Sequence, residues 1–314
     1  MTSKEEFYDR VPRIRDLMVS DDPARIVALE QERRRLADSR RLFSDDSGNP
    51  TLRRSFGIYM DHLGTRQRMK SFTSNDLRDH LRLIDAFIWN LHDPSLQKEG
   101  QALNTFSDNF IIGIIFDEDE PGGHGLNPAL ASIAFYQLVM ATERIPIRGG
   151  IALGDLYMDE RTVIGPALVE AVELEEELAV YPRIILSKDC IEVVHNDLGY
   201  YRSDFRELSP WNNDLLVDAD DRIFINYLSC ILGIDNEVAQ LEALTEHSVA
   251  IRSELQKSYP EKIKTKWEWL ADYHNYFCNC FFSNDSALII VDELISKEQR
   301  HPRKFRPLVE STAR

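Results

Sequence analysis

The stretch "QALNTFSDNFIIGIIF", residues 101–116, decides the fold class. β-Branched and aromatic residues flank Ser107-Asp108-Asn109, and Asp and Asn favour tight turns, so it reads as two strands joined by a hairpin. Asp108 puts a carboxylate at the mouth of an otherwise apolar strand. Nothing basic lies within residues 106–115 to neutralise it.

Upstream, "RRSFGIYMD" (53–61) reads as a short strand ending at Asp61. A helix follows, with Thr73 or Ser74 as cap and Asp76 near its start, and with Leu77, Leu81, Ile84, Ile88 and Leu91 four and three apart. Downstream, residues 117–125 read as a loop. "LNPALASIAFYQLVMATER" (126–144) reads as a buried helix capped at Asn127, and "IPIRGGIALGDLY" (145–157) as another strand. The order β-α-β-β-α-β predicts an α+β protein with a ferredoxin-like palm core, an antiparallel sheet with two helices on one face.

Further on, residues 161–187 read as strand, helix from Pro166, strand, and "DLLVDADDRIFINYL" (214–228) as a hairpin turning at Ala219-Asp220. The chain then reads as helical from about 236 to 282, with Ile263, Trp267, Leu270, His274, Phe277 and Phe281 as one apolar stripe. Residues 296–314 read as a frayed tail. The expected organisation is an N-terminal helical arm over 1–52, with its Arg cluster as a solvated face, a catalytic domain over 53–232, and a helical extension with tail over 233–314.

Composition narrows the function. The 314 residues are 43% hydrophobic, enough for a sizeable core, and 53 acids against 37 Lys+Arg leave a formal charge of −16. Such a surface argues against gripping nucleic acid, where phosphate contacts dominate affinity, yet leaves room for a small anionic substrate. The cysteines (190, 230, 278 and 280) show no CxxC spacing and read as reduced thiols. Zinc through His274, Cys278 and Cys280 has poor spacing on a continuous helix. No apolar run approaches the roughly 18 residues of a membrane span, and no signal region opens the chain, so a cytoplasmic protein is expected.

The chemistry rests on two acids. In a βαββαβ sheet the first strand lies beside the third, about 4.8 Å away, so Asp61 and Asp108 converge at one end of it. Taken singly, Asp108 is a turn residue and Asp61 a strand end. Taken together, without a supporting cation, they suit divalent metal, and hard oxygen donors select Mg²⁺ or Mn²⁺. Two such ions about 3.5–4 Å apart clamp the attacking and leaving oxygens of a phosphoryl displacement. Gly64 turns the chain sharply after Asp61, where backbone N–H groups with Thr65 and Arg66 can cradle a triphosphate; a plain β-α loop would also accept that glycine. Tyr59, two residues before Asp61, leaves the sheet on the same face, either as a wall for a nucleobase or as a core aromatic.

These motifs resemble the class III nucleotidyl cyclases, in "YMDHLG" followed by "FSDNF". The ordered set "YMDHLGT", "FSDNF", "RGGIALGDLY", "GPALVEAVELE", "YPRIILS" and "KWEWLADYHN", over roughly residues 54–277, is most similar to the pyrimidine nucleotide cyclases of Pycsar anti-phage defence. The resemblance implies a homodimer that converts UTP or CTP to a 3′,5′-cyclic monophosphate and pyrophosphate, the product activating a separate effector. It implies that Asp61, Asp108 and the carbonyl of His62 hold two Mn²⁺ or Mg²⁺ ions. The helix Asn and Arg of purine cyclases align with Val169 and Glu173, and the base-reading Lys and Asp fall near Asn104 and Thr162, departures that suit a smaller base. Arg66, Arg148, Arg161 and Arg183 are candidates for triphosphate or transition-state contacts. The alternative is a non-catalytic cyclase-like module that binds nucleotide and signals; another palm-type nucleotidyltransferase is a third reading.

Overall fold

The structure, a computed structural model, describes residues 39–91, 101–117, 126–159, 161–200, 209–283, 285, 287–290 and 303–309. The expected arm helix lies outside the described residues except for α1 (Ser39–Leu42), and so does the loop after Asp117.

β1 (Arg53–His62) is followed by a short α2 (Thr65–Met69) and by α3 (Ser74–Leu91). β2 (Gln101–Phe106) and β3 (Asn109–Ile115) form the hairpin, closed by Ser107 and Asp108 with Ser107 at φ 60°. α4 (Leu126–Thr142) starts one residue before the expected cap, and β4 (Ile147–Met158) ends the unit. Strands lie in the order β2-β3-β1-β4, and every pair among these four is antiparallel. This is the strand order anticipated from the β-α-β-β-α-β reading.

Two-residue periodicity sorts β1. Phe56, Ile58 and Met60 are buried toward α3 and α4 with Phe110, Ile112 and Ile114. There Phe87 stacks on Tyr136 at 4.2 Å between ring centroids, with Phe110 edge-on to both. The α3 start is a capping box: Thr73 donates its N–H and hydroxyl to the Asp76 carboxylate at 2.8 and 2.6 Å, and Asp76 N–H returns to Thr73 Oγ1. The buried face of α3 is His80, Leu83, Phe87 and Leu91, which corrects the expected stripe: Leu77 and Leu81 are each 47% exposed. His80 is drawn inward because its ring packs on those of His62 and Phe72.

The other sheet face carries Gly57, Gly150 and Gly154, the seat of α5 (Pro166–Glu173), which follows β5 (Val163–Ile164). A Cβ on Gly57 would lie 3.1 Å from that of Ala167, and one on Gly150 would run into the Ala171 carbonyl. Bare backbone lets the helix lie directly on the strands. α5 passes into a π-turn (Leu174–Leu178), and β6 (Ile184–Leu186) then joins β4 in parallel.

The sheet continues through β8 (Ile223–Ile225), β7 (Leu215–Val217) and β9 (Arg306–Pro307). The β7–β8 hairpin turns over residues 218–222, as anticipated. α6 (Lys188–Tyr200), which the pattern did not anticipate, buries Cys190, Val194 and Leu198. The single helical run expected from 236 is two helices, α7 (Glu237–Leu255) and α8 (Glu261–Phe281), because Pro260 cannot continue the first. Their seam buries Trp267, Leu270, His274 and Phe277, while Ile263 and Phe281 at the ends of the stripe are exposed. The frayed tail is corrected over 303–309: Phe305 is buried among Phe224, Trp269 and Tyr273, and β9 pairs with β7.

Candidate functional site

The ladders fix where the two acids stand. Asp61 lies opposite Asn109 on β3 and opposite Arg148 on β4. Asp108 directly precedes Asn109, so the hairpin turn brings it to the end of β1, next to Asp61. Burial raises the Asp61 carboxyl above its ordinary range, the Arg148 guanidinium opposes that, and the charge of Asp108 adds to it.

Arg148 corrects one expectation. Asp61 is not without a cation, since Arg148 Nε lies 3.5 Å from its Oδ2. Arg148 is also ion-paired with Glu175 of the π-turn. Burial pushes the Glu175 carboxyl up to about 7, against the pull of Arg148 and with Asp61 reinforcing it. Lys266 of α8 belongs to the same group: burial lowers its ammonium pKa, Arg148 lowers it further, and Asp61 and Glu175 pull it back. Sequence reasoning missed Glu175 and Lys266. Glu175 sits in "ELEEEL", which reads as a solvated acidic run, and no 3.6-residue period marks a π-turn.

Tyr59 is half-buried, opposite Ile111 and Gly150 and on the Asp61 side of the sheet. Burial raises its hydroxyl to about 12, with Glu175 and Asp61 adding to the effect. Gly64 adopts φ 83°, ψ −2°, the left-handed region, and caps α2. Thr65 is buried and donates its hydroxyl to the His62 carbonyl at 2.7 Å. That oxygen keeps a second lone pair. The His62 ring lies on the opposite face, 2.9 Å from the Tyr136 hydroxyl, and burial lowers its pKa to about 3. Arg66 lies in α2; its side chain is outside the described residues.

Asn104 and Thr162 come together elsewhere, around Asp159. Asn104 Nδ2 donates to the Asp159 carbonyl at 3.3 Å, and Thr162 N–H donates to Asp159 Oδ1 at 2.8 Å. Tyr157 and Arg40 complete this cluster. Val169 and Glu173 are exposed on the outer side of α5. Arg183 is withdrawn from any substrate role by full burial between Asp218 and Asp220.

Among the described residues, no group of three or more His, Cys, Asp or Glu side chains forms a cage for a metal. Cys278 lies 3.5 Å from His274, but Cys280 is exposed, so the trio does not close around zinc. The Asp61 end has a different chemistry. Two neighbouring carboxylates and a main-chain carbonyl are hard oxygen donors, and Mg²⁺ is held by one or two carboxylates with substrate phosphates and water completing the shell. The residues present fit such an ion.

Among the described residues, no helix is long and apolar enough to cross a membrane. No protein-family profile matches the chain, and no curated protein matches it in sequence. Among solved structures, the crystal structure of the adenylyl cyclase CyaB from P. aeruginosa aligns at 16% identity with a TM-score of 0.34, over 46% of this chain and 82% of that one. A likeness this slight carries no argument about chemistry.

Proposed function

We propose that the protein is a two-metal nucleotide cyclase that converts a pyrimidine nucleoside triphosphate, UTP ahead of CTP, to its 3′,5′-cyclic monophosphate and pyrophosphate. The observation that carries this reading is the meeting of Asp61 with the hairpin Asp108 at one sheet end, directly before the left-handed turn at Gly64. Asp61, Asp108 and the His62 carbonyl would hold the Mn²⁺ or Mg²⁺ ions. When bound, these supply charge neutralisation at the triphosphate and acidify the ribose 3′-hydroxyl. The 3′-oxygen bonds to the α-phosphorus, the bond to the β-phosphate oxygen breaks, and the hydroxyl proton leaves to solvent with pyrophosphate as leaving group.

The chain's own parts divide the remaining work. The Gly64 turn, Thr65 and Arg66 receive phosphate oxygens, and Arg148 adds a charge beside Asp61. Tyr59 walls the base, and Asn104 and Thr162 read its edge, each protomer of a homodimer completing the other's site. The product serves as a second messenger for a separate anti-phage effector.

The test is incubation with each of the four ribonucleoside triphosphates and Mn²⁺, with products identified by mass. A cyclic pyrimidine monophosphate lost in Asp108→Ala is the expected result. A product with a free 3′-end would replace this reading with a nucleotidyltransferase. The exposed Val169 and Glu173, where purine cyclases carry their transition-state side chains, favour a second reading, a non-catalytic nucleotide-binding module. Nucleotide bound with Mn²⁺ but never turned over would select it.

A further inference from the structure

Arg148 has two acidic neighbours, and they come from different parts of the fold. The β1–β4 ladder sets it opposite Asp61, with Nε 3.5 Å from Oδ2. Glu175 reaches it from the π-turn above the sheet.

The π-turn is what brings Glu175 in. On α5 the sheet-facing residues are Ala167 and Ala171, and Leu174 continues that row. An α-helix would next turn inward near residue 178, leaving 175 on the flank. The wider turn buries Leu174 and Glu175 together and leaves Glu176 and Glu177 in solvent. One carboxylate of an acidic run is thereby selected, with its side chain 3% exposed, and aimed at Arg148.

A buried carboxylate is costly without a partner, and an arginine bound to Asp61 occupies the oxygen that a metal ion would take. Two acids around one guanidinium resolve both constraints. We propose that Glu175, the closer of the two acids to Arg148, holds the guanidinium back from Asp61, so that a divalent cation can take its place on Asp61 without leaving the arginine unpaired. This rests on the two-carboxylate metal site proposed above. Glu175 is then a positioning residue that acts through Arg148. Lys266 adds a positive charge beside Asp61 and Glu175, and Tyr59, Asp108 and Glu176 face the same group.

The experiment is Mn²⁺ binding to the full chain without nucleotide, followed by calorimetry and by the loss of free-ion EPR signal. Arg148→Gln removes the competitor and tightens Mn²⁺ roughly tenfold, whereas Glu175→Gln strands Arg148 on Asp61 and weakens it by a similar factor. The double variant binds like Arg148→Gln, because Glu175 matters only while Arg148 is present. It removes both members of the Arg148–Glu175 pair, so neither is left buried without the other, and it keeps the test intact if a single variant fails to fold. Unchanged or weaker binding in Arg148→Gln overturns the proposal, as does a Glu175→Gln loss that persists in the double variant. In either case Mn²⁺ binding that disappears in Asp61→Asn leaves the metal site standing. Binding indifferent to Asp61→Asn overturns both.

Discussion

His247 and His274 meet nitrogen to nitrogen, Nδ1 to Nδ1 at 2.9 Å, in the fully buried seam between α7 and α8. The Leu288 carbonyl, 3.1 Å from His274 Nε2, only accepts, so Nε2 carries the proton and Nδ1 of that ring accepts. His247 Nδ1 must then donate, and its Nε2 accepts from the Tyr227 hydroxyl at 2.8 Å. Every proton in the chain is assigned, and both rings are neutral.

Acid therefore acts on this seam. Burial lowers both histidines, His274 from 6.5 to about 4 and His247 well below its ordinary value. The folded pKa lies below the unfolded one, so the stability is fully present above about pH 6.5 and is lost as pH falls toward 4. His274 alone accounts for roughly 3 kcal/mol of that loss. Urea midpoints measured from pH 7.5 to 4.5 should fall across the window, and should fall less in His274→Asn. Equal slopes in the two proteins would mean that the native ring titrates as it does in the unfolded chain, with no lowering by burial.

Asp61→Asn and Asp108→Asn should each reduce turnover by more than the roughly 100-fold typical of losing a supporting metal partner. Both should stay folded. Arg148 keeps Glu175 when Asp61 is neutralised, so no buried charge is left without a partner. Thermal melts beside initial rates test both halves; either variant retaining full rate would end the two-carboxylate assignment.

Gly64→Ala separates backbone from space. No atom lies within 4 Å of where its Cβ would sit, so the cost comes from φ 83° alone, roughly 1–2 kcal/mol. We expect a modest drop in melting temperature and a larger rise in KM for the triphosphate, because relief of the strain moves the N–H groups after residue 64. A KM equal to that of the unmodified chain would reduce Gly64 to a plain turn residue.

Gly150→Ala should do the reverse, costing stability first. Its Cβ would meet the Ala171 carbonyl and sit 2.6 Å from Leu174 Cβ, so α5 must lift. Overpacking of this kind costs roughly 1–3 kcal/mol. Lifting α5 also carries Glu175 away from Arg148, so Mn²⁺ affinity should fall along with the urea midpoint. A stability loss with unchanged affinity would show that the π-turn moves independently of its helix.

Much of the site was legible because the relevant signals are short-range. Strand and helix periods gave the order from Arg53 to Met158, and that order alone set β1 beside β3, hence Asp61 beside Asp108. Thr73 and Asp76 announced their own capping box. Arg148 was visible as an arginine but not as the partner of Asp61, since pairing between β1 and β4 depends on register, which composition does not reveal. Glu175 was hidden by the π-turn. The stripe Leu77, Leu81 misled because α3 has two apolar flanks, and tertiary packing around His62 chose the one with His80. Residues 303–309 looked like tail because Arg303, Lys304 and Arg306 interrupt any apolar period, and only the long-range pairing of Arg303 with Asp218 shows why they dock.

That last pairing has a consequence for synthesis. Asp218 is fully buried, and it neutralises Arg183 while accepting from Trp269 and Arg303. Arg303 emerges from the ribosome 85 residues after Asp218, an interval of roughly 4–17 s at ordinary elongation rates. The palm strands can pair long before then, but the sheet edge at β7 stays open and the charges beneath it unbalanced until the last segment arrives. A chain halted before residue 303 thus carries a formed acidic pair on a sheet that still exposes an unpaired edge strand, a ready target for quality control.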